Sequence, residues 1–429
     1  MPLNLKKFDN NFEMEYNSVM EKITTAIIGG GASGLFLATA LHNSGKTVLF
    51  ERNDRLGKKL SATGNGQGNV TNLFALETAY FSHAQSGVRL AEERIREYDH
   101  RSLIEYFEQL GLLLIADERG RVYPAGRQAS ALTDGLRFAL DKSGVEARLS
   151  TRITAIRKST DGFLLTAVSG EKQTELFAET VVLCAGGKAA KNFGTDGNGY
   201  TLARALGHTV TPLYPSLVQL KTDTTHTKTL KGIRVTDGGL TAEENGKVLL
   251  SLTGDIIFTE YGVSGDAVFR ASAYVAEKIP QGNLQLKIDF LPQFTEEKIR
   301  AALYSKAEKY PQTPISELLC GMVNNQIGRA VMRRANGDIP LAAKLVKAFP
   351  LPVLGSLGFD YAQVTKGGVL IDEVDGQLQS KLVKGLYFTG EILDVDGPCG
   401  GFNLQWAYSS ARKVADALNA KYAKGRGQV

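Results

Sequence analysis

Cysteine is scarce in this chain of 429 residues, which has only Cys184, Cys320 and Cys399. The three lie far apart and form no Cys-x-x-Cys pair, which argues against a disulfide framework and against a structural zinc site. The five histidines are also scattered, without the spacing of a metal site. We therefore expect a cytoplasmic protein with no bound metal.

Long apolar runs are missing as well. No run reaches the ~18 residues of a membrane-spanning helix, and the start of the chain lacks the apolar core of a signal peptide. The net charge is only +5, with basic and acidic residues interspersed and without the basic stripe of a nucleic-acid-binding protein. We expect neither a membrane nor a nucleic-acid partner, and a polar extension over residues 1–21.

Glycine, in contrast, is abundant, at 46 residues. The stretch AIIGGGASGLFLATALHNSGKTVLFER predicts a strand, a helix and a second strand, and Gly29, Gly31 and Gly34 fit G-x-G-x-x-G between the first two. In such a turn the first glycine permits the tight bend, the second lets backbone approach a pyrophosphate, and the third lets the helix pack on the strand. Glu51 ends the second strand, where a carboxylate can accept hydrogen bonds from a ribose. The stretch predicts a dinucleotide site.

The other end of the chain indicates which dinucleotide is bound. In GLYFTGEILDVDGPCGGFNLQWA an apolar strand ends at Gly390 and Glu391, and Asp394 and Asp396 follow before a helix begins. An acidic residue there could contact a ribitol chain, and a helix N-terminus could stabilise the anionic reduced flavin. A nicotinamide enzyme needs no such second motif, so the pattern favours FAD over NAD.

Two further glycine-rich motifs do not predict additional sites. The stretch GTDGNGYTLARALG from Gly194 does not directly follow a strand and has the wrong spacing, so we interpret it as the start of a helix. GVSG at 262–265 lacks the closing glycine of a hydrolase nucleophile turn. We expect one dinucleotide-binding fold and no dedicated NAD(P)H domain.

The hydrophobic pattern changes several times along the chain. Residues 147–184 alternate as a three-stranded meander, 210–290 read as a small β-rich unit, and 294–348 read as helices. FPLPVLGSLGF, with Pro350 and Pro352, reads as a linker. The domains predicted from these changes are an FAD-binding domain at 22–205 and 355–429, an inserted barrel-like domain at 206–292, and an inserted helical domain at 293–354.

The motifs together resemble a known family. AIIGGGASGL, ERNDRLGKKLSATGNGQGNVTN, GRVYPAGRQASAL, IIFTEYGVSG and GLYFTGEILDVDGPCGGFNLQWAYSSA are similar, in this order, to motifs of the HI0933-like (BaiN-like) bacterial flavoproteins. The resemblance covers about 23–420. It implies an α/β fold with a glutathione-reductase-type FAD-binding Rossmann domain, built from both ends of the chain, with inserted β-barrel and helical subdomains, and FAD held non-covalently.

The resemblance also assigns residues to the cofactor. Those it assigns are Gly29, Gly31, Ala32, Ser33, Gly34, Glu51, Arg52, Lys59, Gly64, Gly66, Asn69, Ile153, Gly186, Gly390, Glu391, Asp396, Gly401, Phe402 and Asn403. The first glycine-rich turn would hold the pyrophosphate. The second loop, ATGNGQGNVTN, would place backbone without large side chains along the flavin. The C-terminal residues, from Gly390 to Asn403, would surround the ribitol and the ring.

This chain departs from the family at two places. Gln67-Gly68 stands where relatives usually have Arg-Cys, so this loop has no thiol for the flavin. Glu260 and Asp266 replace the usual His and Pro, and two carboxylates could suit a cationic substrate.

The resemblance implies an FAD-dependent oxidoreductase, and some members of the family are described as aminoacetone oxidases. We expect an oxidase of a small primary amine that uses oxygen and gives imine or aldehyde, ammonia and hydrogen peroxide. Glu260 would hold the ammonium group while Tyr261 or Tyr123 shapes the pocket; no catalytic side chain is assigned.

Two other functions stay open. An NAD(P)H-dependent flavin reductase of an unsaturated small molecule would need only transient docking of nicotinamide. A flavin-containing regulatory or nucleic-acid-binding protein would need a concentrated basic face.

Overall fold

The computed structural model describes residues 20–42 and 44–426. Most of the predicted polar extension, residues 1–19, lies outside the described residues. The strands are β1 (Glu21–Ile28), β2 (Thr47–Phe50), β3 (Thr71–Asn72), β4 (Leu114–Ala116), β5 (Arg121–Pro124), β6 (Glu146–Arg148), β7 (Arg152–Lys158), β8 (Phe163–Ser169), β9 (Lys172–Leu183), β10 (Tyr214–Ser216), β11 (Leu220–Thr222), β12 (Arg234–Glu244), β13 (Lys247–Phe258), β14 (Gly262–Ser264), β15 (Leu284–Asp289), β16 (Phe349–Ser356), β17 (Val364–Lys366) and β18 (Leu386–Phe388). The helices are α1 (Ala32–Ala40), α2 (Gln85–Glu97), α3 (His100–Gln109), α4 (Ala129–Ser143), α5 (Asn198–Ala205), α6 (Asp266–Val275), α7 (Glu296–Lys309), α8 (Asn325–Arg334), α9 (Ile339–Lys347) and α10 (Phe402–Arg426).

A seven-stranded sheet forms the centre of the first unit, in the order β6-β2-β1-β9-β8-β7, with β18 also paired to β9. Strands β6, β2, β1, β9 and β18 run parallel, while β7, β8 and β9 form the predicted antiparallel meander. The carboxyl ends of the parallel strands meet at one edge, which is where open α/β sheets bind ligands. The prediction of a Rossmann-type α/β fold is confirmed.

Helix α1 packs between this sheet and the helices α4 and α10. It is apolar on nearly every side, and residues 33–38 are all buried. Phe36 makes edge-to-face contacts with Phe107 and Tyr408, which fixes α1 against α3 and α10. Local signals mark the helix ends: Asp99 caps α3 by accepting two backbone N–H bonds, and Gly144 ends α4 at φ +76°.

The second unit is a closed six-stranded barrel in the order β11-β14-β13-β12-β15-β16. Its long β12–β13 hairpin turns at Asn245 and Gly246, both at positive φ, as a two-residue Asn-Gly turn requires. Helices α7, α8 and α9 lie in sequence between β15 and β16, and residues such as Leu303, Val331 and Val346 join the core of the barrel. The expectation of an inserted barrel and helical segment is confirmed.

The prediction of a linker over 349–359 is wrong for its first eight residues, because these form strand β16. Pro350 and Pro352 pair with β15 without disturbing it. The carbonyl of Pro352 accepts from the backbone N–H of Asp223. The N–H group that proline lacks would point to the same side of the strand, where the pairing of β16 with β11 begins only at Val353. A strand tolerates proline where no neighbour needs the N–H group.

The two units have separate hydrophobic cores, one made of residues within 23–206 and 369–418 and the other of residues within 220–353. This agrees with the proposed division into a discontinuous FAD-binding domain and inserted units, whose boundaries stay a prediction. Within residues 20–42 and 44–426, no helix is both long enough and apolar enough to cross a bilayer.

Candidate functional site

A long cavity opens at the carboxyl edge of the parallel sheet. It is lined by residues that follow β1, β2 and β9 and by the segment after β18. Of the residues predicted to contact a cofactor, those that line it are Gly29, Gly31, Ala32, Ser33, Glu51, Arg52, Lys59, Gly64, Asn69, Ile153, Gly186, Glu391, Gly401 and Asn403. Segments from both ends of the chain therefore meet at one site, although each residue's contact with the cofactor stays a prediction.

The three glycines of the first turn have different surroundings. A Cβ on Gly29, at φ +113°, would overlap the carbonyl of Cys184, and one on Gly34 would overlap the carbonyl of Gly29. A Cβ on Gly31 would meet open space. Helix α1 begins at this point with no side-chain cap and no acidic residue in its first turn. Its free N–H groups and open approach suit an anionic pyrophosphate.

The Glu51 carboxylate is buried and oriented by backbone. Its Oε2 accepts from the Gly30 N–H at 2.8 Å, and its Oε1 accepts from the backbone and side-chain nitrogens of Asn53 at 2.8 and 2.7 Å. Because a carboxylate offers about four acceptor positions, one on Oε2 remains for a hydroxyl group. The next residue, Arg52, forms an ion pair of 2.7 Å with Asp196, and both residues line the cavity.

Lys59 and Glu391 join the two halves of the site by an ion pair of 2.9 Å. The second oxygen of Glu391 accepts from the backbone N–H of Thr365 at 2.9 Å. Both side chains line the cavity, so a phosphate near Lys59 or a hydroxyl group near Glu391 would meet a group that is already positioned.

The other five predicted residues do not line the cavity, and they support its walls. Gly66 accepts from Ala129 at 2.8 Å, and Phe402 packs edge-to-face on Tyr80. Gly390 accepts from the indole N–H of Trp406 at 3.1 Å. Gly34 packs against the carbonyl of Gly29 in the first glycine-rich turn. The fifth residue, Asp396, is fully buried, and neither of its carboxylate oxygens has a hydrogen-bond partner among the described residues.

Several lining residues were not predicted from the sequence. The loop interpreted only as a helix start also forms cavity wall, with residues 193–196, Asn198 and Gly199. Its glycine, aspartate and asparagine content was the signal, but its spacing matched no fingerprint. Three further lining residues carry no motif: Leu217 follows β10, Gln363 precedes β17, and Val364 is the first residue of β17.

Cys399 also lines the cavity, between Pro398 and Gly400. Burial raises the pKa of its thiol to about 11, with Asp266 adding to the effect and Arg121 and Arg270 opposing it. The thiol is therefore protonated at neutral pH. The glycine-rich loop 62–72 has no cysteine, and Cys399 brings a thiol to the cavity from another segment.

The residues predicted for the substrate lie at different places. Tyr123 is 5% exposed, and its charge environment includes Cys399. Tyr261 is half-buried and supplies its backbone carbonyl to Thr222. Glu260 is exposed and pairs with Lys231, whose proximity lowers the pKa of the carboxyl. None of these three residues is among those that line the cavity, and their substrate roles stay predictions.

The chemistry of this site fits FAD. An open glycine turn faces an uncapped helix start, a partly free carboxylate ends the second strand, and a second glycine-rich wall carries Gly64 and Gly401. The first group suits the adenosine diphosphate half and the second leaves room beside backbone for a flat ring.

Comparison with known proteins agrees with this geometry. The family model described as "HI0933-like protein Rossmann domain" matches residues 23–417. The chain is 34% identical to a protein of Clostridium scindens named 3-dehydro-bile acid delta(4,6)-reductase, over 90% of this chain and 96% of that protein. It is 28% identical to an Escherichia coli protein named ribosomal RNA dihydrouridine synthase, over 94% of this chain and 99% of that protein. Because that name includes RNA, the expectation of no nucleic-acid partner stays a prediction.

Among solved structures, the 3-ketosteroid delta1-dehydrogenase of Sterolibacterium denitrificans has a similar fold. It aligns with a TM-score of 0.50 and 12% identity, over 94% of this chain and 100% of that chain. The chain belongs to the HI0933-like family and is an FAD-dependent oxidoreductase with a glutathione-reductase-type fold.

Proposed function

We propose that the protein reduces a carbon–carbon double bond conjugated to a carbonyl, with electrons from NAD(P)H. The names of two relatives support this proposal, since one reduces delta(4,6) double bonds of a 3-dehydro bile acid and the other converts uridine to dihydrouridine in ribosomal RNA. In both reactions two hydrogens add across a double bond next to a carbonyl.

The reaction requires a hydride at the β-carbon and a proton at the α-carbon. Held in this cavity, FAD would supply the chemistry of hydride transfer between NAD(P)H and the substrate. The protein must therefore hold the alkene beside the flavin, exclude water and supply the proton. NAD(P)H becomes NAD(P)⁺, and the alkene becomes the saturated carbonyl compound.

The observation that carries the proposal is the place of the Cys399 thiol in the cavity wall, where burial raises its pKa to about 11. A thiol whose pKa lies well above neutrality keeps its proton until a strong base, such as a developing enolate, is beside it. It is thus suited to give a proton to carbon after hydride transfer. Its place between Pro398 and Gly400 lies in the wall assigned to the flavin end.

Amine oxidation has less support from the site. Glu260 pairs with Lys231, and Asp266 pairs with Arg270 at 3.0 Å and Arg119 at 3.5 Å. Both carboxylates that suggested a cationic substrate are thereby neutralised by cations of the protein itself. Aminoacetone remains a substrate to be tested beside the unsaturated compounds.

The experiment separates the two half-reactions under anaerobic conditions. We expect NADPH or NADH to bleach the flavin absorbance, and an added 4-en-3-one steroid or uridine compound to restore it and gain two hydrogens by mass. Cys399→Ala should slow the second step about 100-fold or more, within the range of general acid catalysis, and leave the first unchanged. Bleaching by aminoacetone alone, with none by nicotinamide, would contradict the reductase and support the amine oxidase.

A further inference from the structure

We propose that Arg127, Tyr123 and the first turn of α4 form a binding site for an anionic group of the substrate, a carboxylate or a phosphate. The inference rests on the proposed reductase only for the identity of the molecule that carries this anion. The site lies at the rim of the cofactor cavity, because residues 127–129 pack on the glycine-rich loop 62–72. In that loop, Gly66 accepts from Ala129 at 2.8 Å, and Gly64 and Asn69 line the cavity.

Arg127 is held in place without a carboxylate partner. Its guanidinium lies 4.3 Å from the centre of the Tyr123 ring, and one nitrogen donates to the side-chain oxygen of Gln67 at 3.3 Å. Its backbone adopts φ +51°, an unusual conformation for arginine that is often found at functional sites. Within residues 20–42 and 44–426, no carboxylate forms an ion pair with Arg127.

The neighbouring arginines, unlike Arg127, each form an ion pair with a carboxylate. Arg121 pairs with Asp117 at 2.7 Å, and Arg119 pairs with Asp237 at 3.3 Å. Their charges are compensated by the protein, whereas the charge of Arg127 is exposed at the rim and available to an external anion. The planar guanidinium can bind a carboxylate or a phosphate through two parallel hydrogen bonds.

Tyr123 adds a hydrogen-bond donor beneath this guanidinium. The side chain is 5% exposed, and its phenol oxygen is not among the fully enclosed side-chain polar atoms that lack a partner. The hydroxyl group therefore remains accessible and can donate to an external anion. Burial raises the pKa of the phenol, with Asp117 adding to the effect and Arg121 and Arg127 opposing it, so the proton is retained for donation.

The start of α4 contributes a third favourable element. This helix has 15 residues, no acidic residue in its first turn, and an N-terminal residue, Gln128, whose side chain does not cap it. The N–H of Ala129 already bonds to Gly66, so the start of α4 contributes mainly the positive end of its dipole, which lies next to Arg127 in sequence and favours negative charge. The guanidinium, the phenol and the helix start together define an anion site rather than a solvated surface arginine.

The test uses the FAD-loaded protein and two pairs of probes that differ by one anion. The pairs are 3-oxochol-4-en-24-oate with its methyl ester, and uridine 5′-monophosphate with uridine; they distinguish a carboxylate from a phosphate. The shift of the flavin absorbance during titration reports binding. Arg127→Gly removes the guanidinium at a φ that glycine accepts, Arg127→Lys keeps the charge without the planar fork, and Arg101→Ala removes one exposed positive charge of α3 as a matched control.

We expect one anionic probe to bind more tightly than its neutral partner, and Arg127→Gly to weaken only the anionic probe, by about tenfold or more. Arg127→Lys should be intermediate and Arg101→Ala unchanged, with thermal midpoints confirming that each variant is folded. Equal binding within both pairs, no binding of either anion, or equal weakening of both members by Arg127→Gly would overturn the site. Anion binding without reduction by NAD(P)H would refute only the reductase, and turnover that is insensitive to Arg127→Gly would refute only the anion site.

Discussion

Gly31 and Gly34 stand three residues apart in one turn, yet a side chain would have different effects at the two positions. At Gly31 a Cβ would point into open space inside the cavity, and the backbone has a negative φ of −79° that any residue can adopt. At Gly34 a Cβ would overlap the carbonyl oxygen of Gly29, which is held between β1 and α1. The second glycine is therefore required by the fold, and we expect the first to be required by the ligand.

Substitutions should separate these two requirements. Gly31→Asp should leave the stability of the FAD-free protein nearly unchanged and abolish FAD binding, because a carboxylate would face the pyrophosphate. Gly34→Ala should cost about 1–3 kcal/mol of unfolding free energy through overpacking. Flavin content after purification and urea denaturation without FAD measure the two effects. Retention of FAD by Gly31→Asp would show that the pyrophosphate lies elsewhere.

At the scale of the elements, the connector between β18 and α10 buries two carboxylates with opposite surroundings. Asp394 accepts from Ser82 and from the backbone and ring nitrogens of His83, at 3.0 to 3.2 Å. Asp396 has no such partner, and burial raises its pKa to about 7. The charged groups around Asp396 are Lys366, which opposes the rise, and Asp394, Glu391 and Glu277, which add to it.

This difference gives the protein a pH-dependent stability. Because the pKa of Asp396 is higher in the folded than in the unfolded state, its contribution is complete below about pH 4 and is lost as the pH rises through about 7. The loss amounts to at most about 4 kcal/mol. Asp396→Asn should remove this slope, so the variant gains stability over the wild type at pH 8 but not at pH 4. Urea denaturation of both at the two pH values tests this.

Asp394→Asn is the matched control, because it removes a carboxylate that is hydrogen-bonded. It should destabilise the protein at both pH values. If Asp396→Asn and the wild type show the same pH dependence, the carboxyl of Asp396 has a partner in solution, such as a water or the cofactor.

The elements themselves were largely predictable, since their signals are local. The βαβ start, the meander and the capped helices each follow from hydrophobic period and end residues within a short stretch. Strand β16 was missed because its prolines indicate a loop, and only its neighbours β11 and β15 in the barrel make it a strand. The cavity contacts of Cys399 and the hydrogen bond of Arg127 to Gln67 depend on segments that are distant in sequence. A single sequence carries no local signal for such contacts.

For the molecule as a whole, the two hydrophobic cores imply two cooperative units. The cofactor cavity is lined mainly by residues of the first unit, while the barrel and its helices have a core of their own. A ligand stabilises the unit that forms its site, by about 4 kcal/mol when its concentration is 1,000 times its dissociation constant. Loss of FAD should therefore weaken the two units unequally.

Calorimetry of the FAD-free protein should show two unfolding transitions, and added FAD should raise only one of them. NAD⁺ at the same concentration serves as the control and should raise neither by a comparable amount. A single transition that shifts as a whole with FAD would mean that the contacts between the units, such as those of Leu217 and Val364, are strong enough to make unfolding one event.

The only tryptophan of the chain, Trp406, lines the cofactor cavity, and its indole N–H is fixed to the carbonyl of Gly390. Tryptophan emission overlaps the absorption of oxidised flavin, so a flavin bound in this cavity would accept excitation energy from a donor at one defined place. Because no second tryptophan adds background, the ultraviolet fluorescence of the unlabelled protein is an optical gauge of cofactor occupancy. The same residue that closes the cavity wall thus lets the loading of the enzyme be followed in real time.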